Sequence, residues 1–254
     1  MVFGFEKQIR IITGDKKRLG VKKDKKDRRD FLGSGMTDKP KIDLGIYAST
    51  IKNQGVMNSC SGHAAILVFE MERKIRHGKH WWIDGSEQHN YYYSRKLNGL
   101  FPKDVGSYLR DACKVMHKIG VCPEKLMPYI DYLPNYKPGL FTNSFANFWK
   151  IKKYIRQTSI NTIKNSLYHK HPVMLGVPVW KEFLTLREKD VPLPDTNKKS
   201  LGGHAITIIG YDDRQKAFHI QNSWRTTWGK FGRAWLPYKY LEMVPWWDAW
   251  SIRI

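Results

Sequence analysis

The sequence predicts an α+β fold with an N-terminal helical lobe and a C-terminal antiparallel β lobe. Three observations carry this. Residues 60–77, CSGHAAILVFEMERKIRH, place apolar residues at helical spacing over several turns. From His204 onward, short runs of β-branched and aromatic residues alternate with polar ones and are divided by turn signals. Helices fill the first half and strands the second, rather than alternating, which separates α+β from α/β order.

Taken in chain order, residues 1–40 stand apart. DKKRLGVKKDKKDRRDFLGSGMTDKP is rich in Lys, Asp and Gly without apolar periodicity, and reads as a basic arm whose residues 16–30 lie in solvent. Phe3, Phe5, Ile9, Ile11, Ile12 and Phe31 are its candidate apolar anchors. From residue 41 to 254 the composition is that of one globular domain. The helix over 60–77 ends at Gly78, and two more are expected over 86–97 and 107–119, each followed by a glycine that suits a C-terminal cap. After Pro123 the pattern shifts to strands over 148–157 and 171–180, with a helix near 160–169 between them. A polar loop follows over 187–203, and HAITIIGYDD, AFHIQNSW and GRAWLPYKYL then read as strands. WWDAW is expected to pack on the β lobe.

Net charge is +21, from 44 Lys and Arg against 23 Asp and Glu, which favours contact with polyanions, although no nucleic-acid motif accompanies it. No stretch of about 18 apolar residues occurs, so no transmembrane helix is expected. Cys60, Cys113 and Cys122 are too few and too oddly numbered for a disulfide framework. With no secretory leader, three free thiols and a reducing, cytoplasmic setting are expected, or the virion or host cell for a viral protein. His77, His80 and His89 fit no metal spacing and read as surface residues. No cofactor is implied, and oligomeric state is open.

The chemistry centres on Cys60. A thiolate is a strong nucleophile, and a helix N-terminus with a nearby imidazolium lowers a cysteine's pKa. Cys60 begins the first predicted helix. His204 opens a strong strand behind Gly202 and Gly203, and Asn222 begins a turn after the next strand, where adjacent antiparallel strands bring it beside His204. Gln54, six residues before Cys60, is placed to donate to an oxyanion together with the Cys60 amide. Any one of these residues has an ordinary structural reading; their joint order and spacing carry the case.

That joint pattern resembles the papain family of cysteine peptidases, in its bacterial and viral branch. IKNQGVMNSCSGHAA surrounds Cys60, GGHAITIIGYDD surrounds His204, and AFHIQNSWRTTWGKFGRAWLPYKYL surrounds Asn222, so the likeness spans roughly residues 40–245. His204 and Asn222 lie 144 and 162 residues after Cys60. The resemblance implies a two-lobe fold with the active-site cleft between the lobes, and hydrolysis of peptide or protein substrates through an acyl-thioester. It implies Cys60 as nucleophile, His204 as base, Asn222 as the residue that orients the imidazole, and Gln54 as an oxyanion donor. It aligns Gly106, Ser107 and Tyr108 with the strip that pairs with an extended substrate, and Gly203 with the substrate site. Trp224 and Trp228 are expected to shield the Asn–His hydrogen bond. Met57 stands where a bridging cysteine is common, Ser61 where a tryptophan or tyrosine is, and Arg225 where a glycine is. The arm resembles a cleft-crossing propeptide. Alternative readings are an amidase or isopeptidase on another amide, such as cell-wall peptide, and a non-catalytic basic binding or structural protein that keeps the fold.

Overall fold

A computed structural model describes residues 19–78 and 83–254; the expected anchors before residue 18 and His80 lie outside the described residues. The helical lobe is built from α1 (Cys60–His77), α2 (Glu87–Leu97) and α3 (Leu109–Lys118), followed by the short α4 (Thr142–Asn147). All three expected helices are present. The Ser86 side chain caps α2 by accepting from the His89 amide. The third helix starts two residues later than predicted, because Ser107–Tyr108 are extended and form a strand instead.

The β lobe is one twisted sheet. Its strands are β2 (Phe31–Leu32), β3 (Lys41–Asp43), β5 (Lys153–Gln157), β6 (Val173–Val179), β7 (Gly202–Asp212), β8 (Ala217–Gln221), β9 (Arg233–Pro237) and β10 (Asp248–Arg253), in the order β2-β5-β10-β6-β7-β8-β9, with β3 also on β7. The helices α5 (Ile160–Tyr168), α6 (Lys181–Leu184) and α7 (Tyr238–Met243) connect these strands. β6, VMLGVPV, is buried along its whole length, as its unbroken apolar run requires. The strand expected over 171–180 and the helix near 160–169 are found slightly shortened, while that expected over 148–157 is only its second half, Lys153–Gln157. YKYL, read as the end of a strand, turns into α7, because Pro237 takes the last ladder position and then leads into a helix. The WWDAW segment does pack on the β lobe, and contributes β10 to the middle of the sheet with Trp250 fully buried. Two apolar cores result. One lies within the β lobe around Phe183, Phe218 and Trp228; the other joins α1 and α3 to β6 and β10 around Cys113, Met174 and Trp250.

The arm departs most from expectation. Residues 16–30 were expected in solvent. Instead β1 (Val21–Lys22) pairs in parallel with β4 (Ser107–Tyr108) between the lobes, and Val21 and Asp24 are buried. The turn around Lys25–Arg29 is open, with Lys25, Lys26, Arg28 and Arg29 exposed, as is Lys23. The chain then runs along the sheet edge as β2, where Phe31 stays exposed rather than acting as an anchor.

Candidate active site

Cys60 is the first residue of α1, and Ser59, at the cap position, makes no side-chain cap bond. The helix N-terminus therefore opens directly at the thiol, as the sequence predicts. Cys60 is fully buried and shares an apolar cluster with Val21 and Ala205, and the backbone amides of Ala205, Gly20, Ser61 and Val21 favour its thiolate. Burial is the largest influence and pushes the thiol above its ordinary value; the backbone donors pull it partly back. This corrects the expectation of a lowered pKa. The physical reason is the arm: Gly20 and Val21 lie over the sulfur and remove it from water.

His204 belongs to β7, one residue before Ala205. Its Nε2 donates to Asn222 Oδ1 at 2.7 Å, and the Ser223 amide donates to the same oxygen at 2.8 Å. The Asn222 oxygen is thus held toward the imidazole, and the tautomer with hydrogen on Nε2 leaves Nδ1 to exchange protons. Trp224 stacks on the ring with centroids 4.0 Å apart, and Phe183 approaches its edge at 6.0 Å. Trp228 packs behind Phe183 and Trp224 rather than on the histidine itself.

Gln54 is fully buried. Its Oε1 accepts from Ser223 Oγ at 2.9 Å and from Trp224 Nε1 at 3.2 Å, while Nε2 donates to Met57 O at 2.9 Å. The amide nitrogen is therefore kept on the side of the Cys60 loop. Two residues earlier, Lys52 anchors this loop to the helical lobe through Glu87 at 2.6 Å, Asp84 at 2.7 Å and Glu70 at 3.5 Å. Burial pushes Glu70 up to about 7 against the pull of Lys52. Tyr129 closes the loop from outside, donating to Gln54 O at 2.8 Å and meeting Ser59 Oγ at 2.5 Å.

The strip expected to hold an extended chain does hold one. The Ser107 amide donates to Gly20 O at 2.8 Å, and Val21 pairs with Ser107 and Lys22 with Tyr108. Gly106 has φ +80°, and a Cβ there would collide with the Gly20 carbonyl oxygen. Gly203 is equally necessary, since a Cβ would meet Val21 O and Trp246. The Val21 side chain reaches Gly176 and contacts Gly203 in a pocket that includes Leu109 and Trp246. Ser61, where the resemblance leads one to expect an aromatic, bonds Ser107 Oγ at 2.6 Å and ties α1 to β4.

The sequence reasoning missed Ser223, Tyr129 and Trp246, which bear on the site only through the folded loops. Ser223 lies within NSW and Trp246 opens WWDAW, while Tyr129 follows Pro128, and these motifs were the available signal. His89, read as a surface residue, is buried and bonds Asn143 at 2.9 Å. All three cysteines are free, as expected. No helix among the described residues is long and apolar enough to cross a membrane.

A family model for the papain family cysteine proteases matches residues 40–240. A peptidase C1-like protein, L477, of Acanthamoeba polyphaga mimivirus is 27% identical over 248 residues, covering 93% of this chain and 79% of that protein. Among solved structures, xylellain, a cysteine protease from Xylella fastidiosa, superposes with a TM-score of 0.85 at 30% identity, over 94% of this chain and 98% of that one. The digestive procathepsin L 3 of Tenebrio molitor larval midgut shares the fold with a TM-score of 0.75 at 17% identity, over 97% of this chain and 79% of that one. With a cysteine at a helix N-terminus, a histidine held by an asparagine and a family model matching residues 40–240, the chain belongs to the papain family of cysteine proteases.

Proposed function

We propose that Cys60, His204, Asn222 and Gln54 carry out peptide hydrolysis, and that residues 1–40 act as a propeptide-like arm on a peptidase domain spanning 41–254. The observation that carries this reading is the arm itself. An extended backbone lies on Ser107–Tyr108, and its Val21 is buried in the same cluster as Cys60, where a substrate would have to lie. The family match beginning at residue 40 supports the same division.

Once the arm leaves, the Cys60 proton passes to His204 Nδ1 and the sulfur adds to the substrate carbonyl. The oxyanion takes hydrogen bonds from Gln54 Nε2 and the Cys60 amide. Collapse breaks the C–N bond, His204 returns the proton to the leaving amine, and an acyl-thioester remains. Water, deprotonated by His204, then releases the acid and the thiol. The pocket filled by Val21 selects substrates with an aliphatic side chain at that position. Three free cysteines support a reducing compartment such as the cytoplasm, and the charge of +21 supports contact with a polyanion.

The test is hydrolysis of fluorogenic peptides bearing Val or Leu at the pocket position, using Val21→Asp protein, whose arm cannot stay in that apolar pocket. Hydrolysis is expected, and Cys60→Ala in the same background should abolish it. Turnover that survives Cys60→Ala rejects the assignment.

A further inference from the structure

On the helical lobe, the chain between Tyr132 and Lys153 exposes apolar surface in an unusual way. Leu140 is 88% exposed, Phe141 66%, Phe145 48% and Phe148 79%. Phe141, Phe145 and Phe148 recur at i, i+4 and i+7 across α4, so they share one face, and the Phe145 amide bonds back to Phe141 O at 3.1 Å. The opposite face carries Thr142 and Ala146, both buried. This inverts the ordinary arrangement, in which the apolar stripe faces the core.

The segment is held rigidly in this orientation. Ala146 is buried against Tyr92, Cys122 and Met127. Asn143 donates to Tyr93 Oη at 2.6 Å and accepts from His89 at 2.9 Å. The exposed aromatic face is therefore preorganised, and a contiguous patch of that kind marks a contact surface.

Charge says what kind of contact. No Asp or Glu occurs between Tyr132 and Lys181. Lys137, Lys150, Lys152 and Lys153, flanking the apolar face, are all exposed. A second copy of the chain meeting this face about a two-fold axis would bring these lysines against their own counterparts without a local acid to offset them. A nucleic acid would pair with the lysines but offers no apolar interior to Leu140, the most exposed of the four. An anionic bilayer answers both features, with headgroups for the lysines and the acyl boundary for the apolar face.

We propose that the Leu140–Phe148 face with its flanking lysines docks this protein on anionic lipid surfaces. The four apolar side chains enter the headgroup–acyl boundary while the lysines remain at the phosphate level. None of these residues contributes to the cleft, so docking and hydrolysis are separable, and the proposal does not depend on the catalytic reading.

The experiment is co-sedimentation of the full chain with vesicles of phosphatidylcholine alone and of phosphatidylcholine with phosphatidylserine, at physiological salt. The protein is expected to partition onto the phosphatidylserine vesicles and to remain in solution with phosphatidylcholine alone. The double variant Leu140→Ser/Phe148→Ser removes only exposed side chains, and should lower partition at least tenfold with the circular dichroism spectrum unchanged. Lys150→Gln, Lys152→Gln and Lys153→Gln should each lower it roughly fivefold. No partition onto phosphatidylserine vesicles overturns the proposal. So does partition that the double variant leaves intact, since charge alone would then account for it. Two further results overturn it by naming another occupant: concentration-dependent dimerisation lost in the double variant, or duplex DNA binding that exceeds vesicle binding and is weakened by the same substitutions.

Discussion

Asn222 and Gln54 are fixed by the same short stretch of chain. The Ser223 amide holds the Asn222 oxygen on His204, while the Ser223 hydroxyl and the Trp224 indole hold the oxygen of Gln54. Trp224 also covers the imidazole. Orientation of His204 and placement of Gln54, the proposed base and oxyanion donor, are thus one arrangement. Removing a single oxyanion donor typically lowers kcat about 10²–10³-fold. Gln54→Ala should do so with little change in KM, whereas Ser223→Ala should lower kcat much less, because Trp224 still holds the Gln54 oxygen. Initial-rate measurements on arm-released enzyme check this, and equal losses in the two variants would contradict it. Cys60, His204, Asn222 and Gln54 were legible because each sits in a short motif whose spacing survives without the fold. Ser223 and Trp224 stood in the same motif, but their grip on Gln54 spans about 170 positions and could not be read from it. Arg225 shows the reverse. It takes a left-handed φ of +61°, so the conformation that favours glycine at that point is kept even though the glycine is not.

The arm is held in the cleft by backbone pairing and by a buried polar latch at Asp24. Asp24 accepts from the Arg110 amide at 3.1 Å and from Trp250 Nε1 at 3.0 Å, and its own amide donates to Asp248 at 2.7 Å. Arg156 pairs with Asp248, and Arg110 and Arg156 share Asp30. Burial, and then the neighbouring charge of Asp248, push Asp24 up to about 7, against the pull of Arg110. In a released arm the carboxyl returns to the ordinary range, about 4. The docked arm therefore binds more protons than the free arm. Docking is firmest below about pH 4 and weakens as pH rises from there to about 7. Asp24→Asn, which mimics the protonated acid, should flatten this dependence. Added trypsin cutting within Lys22–Lys23 reads it: near pH 8 the wild type should be cut faster than Asp24→Asn, by a margin that narrows toward pH 6. Faster cutting of the wild type near pH 6 than near pH 8, relative to the variant, would contradict the sign. Hydrophobic patterning could not have found this docking, because main-chain hydrogen bonds, one buried carboxyl and a single buried valine carry it rather than an apolar stripe. The long helices and β6 were legible for the opposite reason, since their buried faces are written in apolar periodicity.

In the proposed reading, the N-terminal region fills the cleft between the two lobes and covers Cys60, the nucleophile assigned to it. The α+β order was visible in the sequence. The placement of β10 between β5 and β6 was not, because a strand of Asp, Trp, Ser and Arg lacks a β pattern and is buried only through its sheet neighbours. The central claim is that Cys60 is the nucleophile and that Gly20 and Val21 cover it. Its most direct test is the rate of Cys60 alkylation by iodoacetamide, mapped by mass spectrometry, in wild type and in Val21→Asp at the same pH. Burial under the arm predicts slow labelling in the wild type and labelling at least tenfold faster in Val21→Asp, with Cys113 and Cys122 slow in both. Cys60 labelling equally fast in the two proteins, or Cys60 remaining inert in Val21→Asp while Cys113 or Cys122 reacts, would contradict it.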